Sequence, residues 1–237
     1  MREVITAIRE AVQADRLPVV VFDLDSTLFS TGERNLRILH EFGEAHQAEH
    51  EGLQAVIADV GPEDIGWNVQ ECLAGRGIGD LDLLKAVTKF WFDRFFTDEY
   101  CEIDAPTPGA AAYVEACHQE GALIYYLTGR HAGGMELGTV KSLRKHGFPF
   151  WRGRCVLHLK PSFEMADKIF KDEAMDDIRS YQGQVVATFE NEPGNANLFL
   201  ERFPEALHFF LETIHSPEAE APADELIRTA DFTLPKS

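Results

Sequence analysis

The sequence is poor in cysteine, in positive charge and in long apolar runs, and each shortage excludes something. Four cysteines in 237 residues (Cys72, Cys101, Cys117 and Cys155) are too few for a disulfide scaffold, and no CxxC pair occurs. Against 40 Asp+Glu stand 22 Lys+Arg, a net charge of −18. That balance argues against binding nucleic acid, which needs Lys and Arg to neutralise phosphates, and against an anionic membrane surface. No apolar run is long enough to cross a bilayer. The N-terminus carries Arg2, Glu3, Arg9 and Glu10 where a signal peptide would be continuously apolar. These features point to a reduced, cytoplasmic protein. An anionic substrate of so acidic a chain needs a local cation or metal to offset the background field.

Hydrophobic residues make up 45% of the chain, enough for a real core, and the length predicts between one and two domains. Short apolar runs alternate with helical periods: helix 3–16, strand 19–22, helix 110–119, strand 122–127, helix 135–146, strand 155–159, helix 164–181, strand 184–189, helix 195–202 and strand 206–211. Such alternation predicts a parallel sheet with helices on both faces, a three-layer α/β Rossmann-like core. From about residue 30 to 104 the alternation stops and only helical periods remain. This segment is expected to be a small helical domain inserted over the sheet, which divides the core into 1–29 and 105–237. The tail from Ser216 is acidic and rich in Pro and Ala, and its start is expected to be loose.

The run VVVFDLDSTLF delivers Asp23 and Asp25 at the C-terminal end of the first strand. Positions two apart in extended backbone face the same way. Two carboxylates held together repel unless a cation or a proton lies between them. Alone, this is an Asp-rich turn. Other strand ends add to it: Thr128 and Gly129 in IYYLTGR, then Glu190, Glu192 and Asn195 in VVATFENEPGN. All should meet at the carboxyl edge of the sheet, where open α/β sheets bind ligands. Lysines 160, 168 and 171 lie between the last two strands, and Lys171, 19 residues before Glu190, is preferred as an anion ligand.

In this order the motifs resemble those of the haloacid dehalogenase superfamily over residues 19–200: an apolar strand followed by DxDx[TV] (Asp23, Asp25, Thr27), a strand ending in Thr (Thr128), a Lys, and an acidic strand end (Glu190). The helical insert resembles the cap of the first type in that family. The resemblance implies a Mg²⁺-dependent phosphohydrolase that acts on a small phosphomonoester through an aspartyl-phosphate. Asp23 would be nucleophile and Asp25 general acid and base. Thr128, Gly129, Arg130 and Lys171 would hold the phosphoryl group, with Thr128 and Lys171 also stabilising the transition state. Asp23, the Asp25 carbonyl and Glu190 would bind Mg²⁺. Retention of Asp25 favours phosphate-ester chemistry over dehalogenation. A phosphotransferase, or a binding module without turnover, are the alternatives. The fourth motif departs from the usual Asp by carrying Glu190, with Asn195 where some members have a second acid.

Three further patterns have plainer readings. HQAEH (His46–His50) matches a zinc-protease pattern but reads as a solvated face, and GRGIG (Gly75–Gly79) reads as a loop. The aromatics Phe90, Trp91, Phe92, Phe95 and Phe96 read either as packing of the insert or as an apolar pocket wall.

Overall fold

The structure, a computed structural model, describes residues 1–233. It opens with helix α1 (Arg2–Gln13), then strand β1 (Pro18–Phe22) and the two-residue strand β2 (Phe29–Ser30). Five helices follow: α2 (Gly32–His46), α3 (Leu53–Ala58), α4 (Val69–Ala74), α5 (Leu81–Phe95) and α6 (Asp98–Cys101). After the short strand β3 (Ala105–Pro106) the chain alternates through α7 (Ala110–Gln119), β4 (Leu123–His131), α8 (Ala132–Lys145), β5 (Cys155–Lys160), α9 (Asp167–Ser180), β6 (Gln184–Glu190), α10 (Pro193–Arg202) and β7 (Leu207–Leu211). It ends with β8 (Ile227–Thr229).

Six strands form one sheet in the order β5-β4-β1-β6-β7-β8, with every pairing parallel. Strand β1 is apolar throughout because both of its faces are covered. Val20 and Phe22 join a core cluster with residues of α1 and α7, whereas Val19 and Val21 pack with Phe170, Met175 and Ile178 of α9 and Phe199 of α10. Two helical layers therefore sandwich the sheet, the α/β architecture that the alternation predicts.

The start of the tail carries no helix or strand, but its later part adds structure that the sequence reading did not foresee. Residues 227–229 add a sixth strand beside β7, and Leu226 and Phe232 are buried. Phe232 packs on Phe22, Tyr113 and Phe189, and its N–H donates to the Pro108 carbonyl. Gly109 has φ +79°, and any side chain there would meet the Phe232 backbone at 2.7 Å. Acidic composition concealed two apolar anchors. Among the described residues, no helix is long and apolar enough to cross a membrane.

Helices α2–α5 bury a cluster of their own, including Leu39, Phe42, Ile57, Leu73, Leu84 and Val87. The chain enters and leaves this helical segment side by side: β2 and β3 pair antiparallel, Phe29 opposite Pro106 and Ser30 opposite Ala105. Helix α2 stops at His46, whose Nδ1 lies 3.0 Å from the Phe42 carbonyl. A turn continues to His50, whose N–H donates to the His46 carbonyl at 3.1 Å, but among the described residues no three His, Cys, Asp or Glu side chains are grouped to hold a metal.

Candidate active site

The three central strands, β4, β1 and β6, are neighbours, so their carboxyl ends bring Thr128, Asp23 and Glu190 together. Residue 23 still follows the sheet, its N–H donating to the Phe189 carbonyl. Beyond it the chain leaves extended backbone, and Ser26 adopts φ +58°, a left-handed conformation rare for a residue with a side chain. The Asp23 and Asp25 side chains go to different partners, Asp23 to Lys171 and Asp25 to Arg34 and Arg130.

Asp23 belongs to a carboxylate pair. Lys171, from the first turns of α9, donates to Asp23 Oδ1 at 2.8 Å and to Glu190 Oε2 at 2.6 Å. Glu190 Oε1 accepts the backbone N–H groups of Asn191 and Glu192 at 3.2 and 3.0 Å. All three side chains are buried. Burial, then the Glu190 charge, pushes Asp23 up to about 7 despite Lys171. Burial also raises Glu190. Lys171 is raised, since the two carboxylates outweigh its own desolvation. Half-buried Glu192 is raised by burial as well.

Two buried carboxylates on one ammonium leave excess negative charge on this floor. The donors are all hard oxygens, and no hydrogen bond among the described residues reaches Asp23 Oδ2. That donor set fits a small divalent cation such as Mg²⁺. Among the described residues, no three His, Cys, Asp or Glu side chains converge into a closed cage. A cation here would thus take main-chain carbonyl or water oxygens too, as Mg²⁺ commonly does.

Asp25 belongs to a second, balanced cluster. Its Oδ1 accepts Arg130 Nε at 3.1 Å, Arg130 Nη2 at shorter range and Arg34 Nη2 at 3.1 Å. Both arginines also bind Asp104: Arg34 Nε reaches Oδ1 at 2.8 Å, Arg130 Nη2 reaches Oδ2 at 2.6 Å, and Arg34 Nη2 also donates to Oδ2. Arg34, Arg130 and Asp104 side chains are fully buried, while 31% of the Asp25 side chain is exposed. Burial opposes the charge on Asp25, but Arg130 and Arg34 outweigh it and hold the carboxyl at about 2.

Arg130 was expected among the phosphate ligands. Its guanidinium is instead engaged by Asp25, Asp104 and, at 3.1 Å, Thr139 Oγ1. Arg34 and Asp104 escaped the sequence reading. No local pattern marks them, since they meet only where the two crossings of the helical segment run together. Lys160 pairs with Asp167 at 2.7 Å, and exposed Lys168 reaches Glu220. Of the three lysines, only Lys171 touches Asp23 and Glu190. Thr128 is buried, and a side chain at Gly129 would have to displace the Asp167 carboxylate.

These groups open into one cavity of about 380 Å³. Asp23, Asp25, Thr128, Gly129, Lys171, Glu190 and Asn195 line its floor, and residues of the helical segment, Trp67, Trp91, Phe95 and Phe96 among them, form the opposite wall.

No family model matches the chain, and no curated protein matches it in sequence. Solved structures do match in fold. One is a HAD-superfamily hydrolase of subfamily IA, variant 1, from Geobacter sulfurreducens, at 12% identity and TM-score 0.55, covering 91% of this chain and 93% of that one. The chain shares the fold of this HAD-superfamily hydrolase. Mycobacterium tuberculosis Protein Tyrosine Kinase A matches at 10% identity and TM-score 0.55, covering 92% of this chain and 95% of that one. A predicted phosphoglycolate phosphatase from Haemophilus somnus matches at 13% and 0.52, covering 91% and 95%.

Proposed function

We propose that the protein is a Mg²⁺-dependent phosphohydrolase acting on a small phosphomonoester through an aspartyl-phosphate. The carrying observation is the floor: two buried carboxylates from adjacent strand ends share one lysine beneath a cavity walled by the helical segment. Excess negative charge there is costly unless a cation joins it, and cation plus lysine then make one positive spot for a phosphate in an acidic protein. Asp23, the Asp25 carbonyl and Glu190 would hold Mg²⁺. When bound, the ion lowers the Asp23 proton affinity and neutralises charge on the phosphoryl oxygens.

Asp23 attacks phosphorus with a carboxylate oxygen, and the ester P–O bond breaks as the leaving oxygen takes a proton. Water then attacks the phosphorus of the acyl phosphate, which frees Asp23 and inorganic phosphate. Lys171 and Thr128 bind equatorial phosphoryl oxygens, where charge spreads during transfer. Asp25 is a carboxylate at rest, the form that accepts a proton from the attacking water. A phosphate arriving beside its open oxygen raises its proton affinity, which lets it carry the proton to the leaving oxygen. Arg34 and Arg130 orient Asp25 rather than bind phosphate. Residues 30–104 act as a cap that shields the transfer from bulk water.

Release of phosphate from p-nitrophenyl phosphate, with Mg²⁺ and with chelator, beside the Asp23→Asn protein tests this reading. Metal-dependent turnover that is lost in the variant is expected. Absence of turnover together with absence of Mg²⁺ and beryllofluoride binding would overturn it.

A further inference from the structure

The cavity has two unlike halves. Its floor is ionic, while the wall from the helical segment is aromatic. Trp91 is fixed: its indole N–H donates to Asn35 Oδ1 at 2.7 Å, and its ring stacks on Phe95 with centroids 4.5 Å apart. Phe96 meets it edge-on at 5.6 Å. Trp67 is free by comparison. It follows Gly66 in the loop before α4, lines the cavity and yet is 55% exposed, with no aromatic ring packed on it among the described residues. An unpartnered indole at a pocket rim marks a binding surface better than it marks a core.

The charged groups sharpen the choice of ligand. Arg130 and Lys171 are the cations lining the cavity, and each is already held by two carboxylates. The remaining charged lining is acidic, Asp167 and Glu192 included. A second anionic group on the substrate would meet carboxylates without a free cation. One polar contact is available. Indole is a donor only, so Asn35 must turn its oxygen to Trp91, which leaves its amide N–H₂ as a donor on the cavity wall. The volume, about 380 Å³, lies near the lower end of the roughly 300–1,000 Å³ typical of small-molecule sites.

Deepening the phosphohydrolase reading, on which this depends, we infer that the substrate's organic group is an uncharged aromatic ring, seated between Trp67 and Trp91, with a hydrogen-bond acceptor for Asn35. The substrate class is a phosphate monoester of a small aromatic alcohol, not of a hydroxy acid.

Benzyl phosphate and cyclohexylmethyl phosphate test the ring while leaving the primary-alcohol leaving group alike, and phosphoglycolate tests the charge. The expected result is a kcat/KM for benzyl phosphate roughly tenfold or more above the other two, carried mainly by KM, from stacking energies of the usual size. Trp67→Ala is expected to collapse that ratio toward one and Trp67→Phe to restore most of it. Equal rates for the three, or a ratio that survives Trp67→Ala, would overturn the aromatic assignment and leave the phosphohydrolase reading standing. Hydrolysis of none of the three, with no beryllofluoride binding, would overturn both.

Discussion

Asp23 and Asp25 leave the same strand two residues apart, yet their surroundings differ in charge count. Around Asp23 two buried carboxylates share Lys171, an excess of one negative charge. Around Asp25, two carboxylates (Asp25 and Asp104) face two guanidinium groups, an exact balance. Asp23 is held up near 7 and Asp25 down near 2. Under the proposed function, the excess charge of the unbalanced cluster is what a cation and a phosphate would meet. The balanced one is built to stay put, and it joins β4, the segment after β1, α2 and the return crossing in a single buried network. In the proposed reaction the first cluster binds ligands and the second holds Asp25 in place for proton transfer, although both begin in a three-residue stretch of sequence.

Asp23→Asn separates the two roles most strongly. Loss of the nucleophile is expected to reduce kcat on the order of 10³-fold or more. Stability at pH 8 should rise, because the change removes one of two buried carboxylates competing for Lys171. An Asp23→Asn protein with a lower midpoint in urea would break the comparison, since Asp23 would then be structural like its neighbour. Asp104→Asn should behave in the opposite way. It leaves two buried guanidinium groups with one carboxylate, and removal of one partner from a buried ion pair costs about 3–5 kcal/mol. Equilibrium urea unfolding would read this directly, and a loss below about 1 kcal/mol would show that solvent reaches the cluster.

Much of this was legible in the residues. Strand β1 could be read because four apolar residues in a row need cover on both faces, and Asp23, Thr128 and Glu190 because strand ends are local features. The balanced cluster could not. Arg34 and Asp104 lie 70 residues apart and meet only through the β2–β3 ribbon, a pairing of two residues on each side with no periodic signature. The β8 strand was hidden differently: three residues are too few to show alternation, and it is stabilised by Leu226 and Phe232 on either side of it. The aromatic run was ambiguous because α5 uses it twice. Trp91 and Phe95 line the cavity, whereas Phe92 faces outward and meets Phe163.

The pH dependence of stability carries the comparison into solution. Asp23 has its folded-state value raised above the usual 3.8 to about 7, so it destabilises the fold increasingly as pH climbs through that interval. Asp25 has its value lowered to about 2, so its stabilisation is complete above the usual value and is lost as pH falls from about 4 through 2. Thermal melts without divalent cation should therefore show a midpoint falling between pH 5 and 8, with the slope flattened in Asp23→Asn. Mg²⁺ at 100 times its dissociation constant adds about 2.7 kcal/mol to the native state. It should thus restore the midpoint at pH 8, and chelator should reverse the gain. A midpoint indifferent to Mg²⁺ at pH 8 would place no cation at the unbalanced floor.

The smallest expected effect concerns the contact that joins the two walls of the cavity from outside. Phe163, in the loop between β5 and α9, packs edge-on against Phe92 and Phe96 of the helical segment with ring centroids 5.4 and 5.0 Å apart, and against His131 at 5.6 Å. It is the aromatic counterpart of the Arg34–Asp104 link, but partly open to water. Aromatic pairs contribute about 0.5–1.5 kcal/mol beyond area burial. Phe163→Ala should therefore cost about 1 kcal/mol in urea unfolding, well below Asp104→Asn, and should speed proteolytic cleavage within residues 30–104 by a few-fold. If the helical segment moves against the sheet during turnover, a loss in this buried ionic link and a loss in this exposed aromatic one will differ in kind. Asp104→Asn should lower global stability by several kcal/mol, while Phe163→Ala should raise the KM for an aromatic phosphate and lower the urea midpoint only by the amount that about 1 kcal/mol allows.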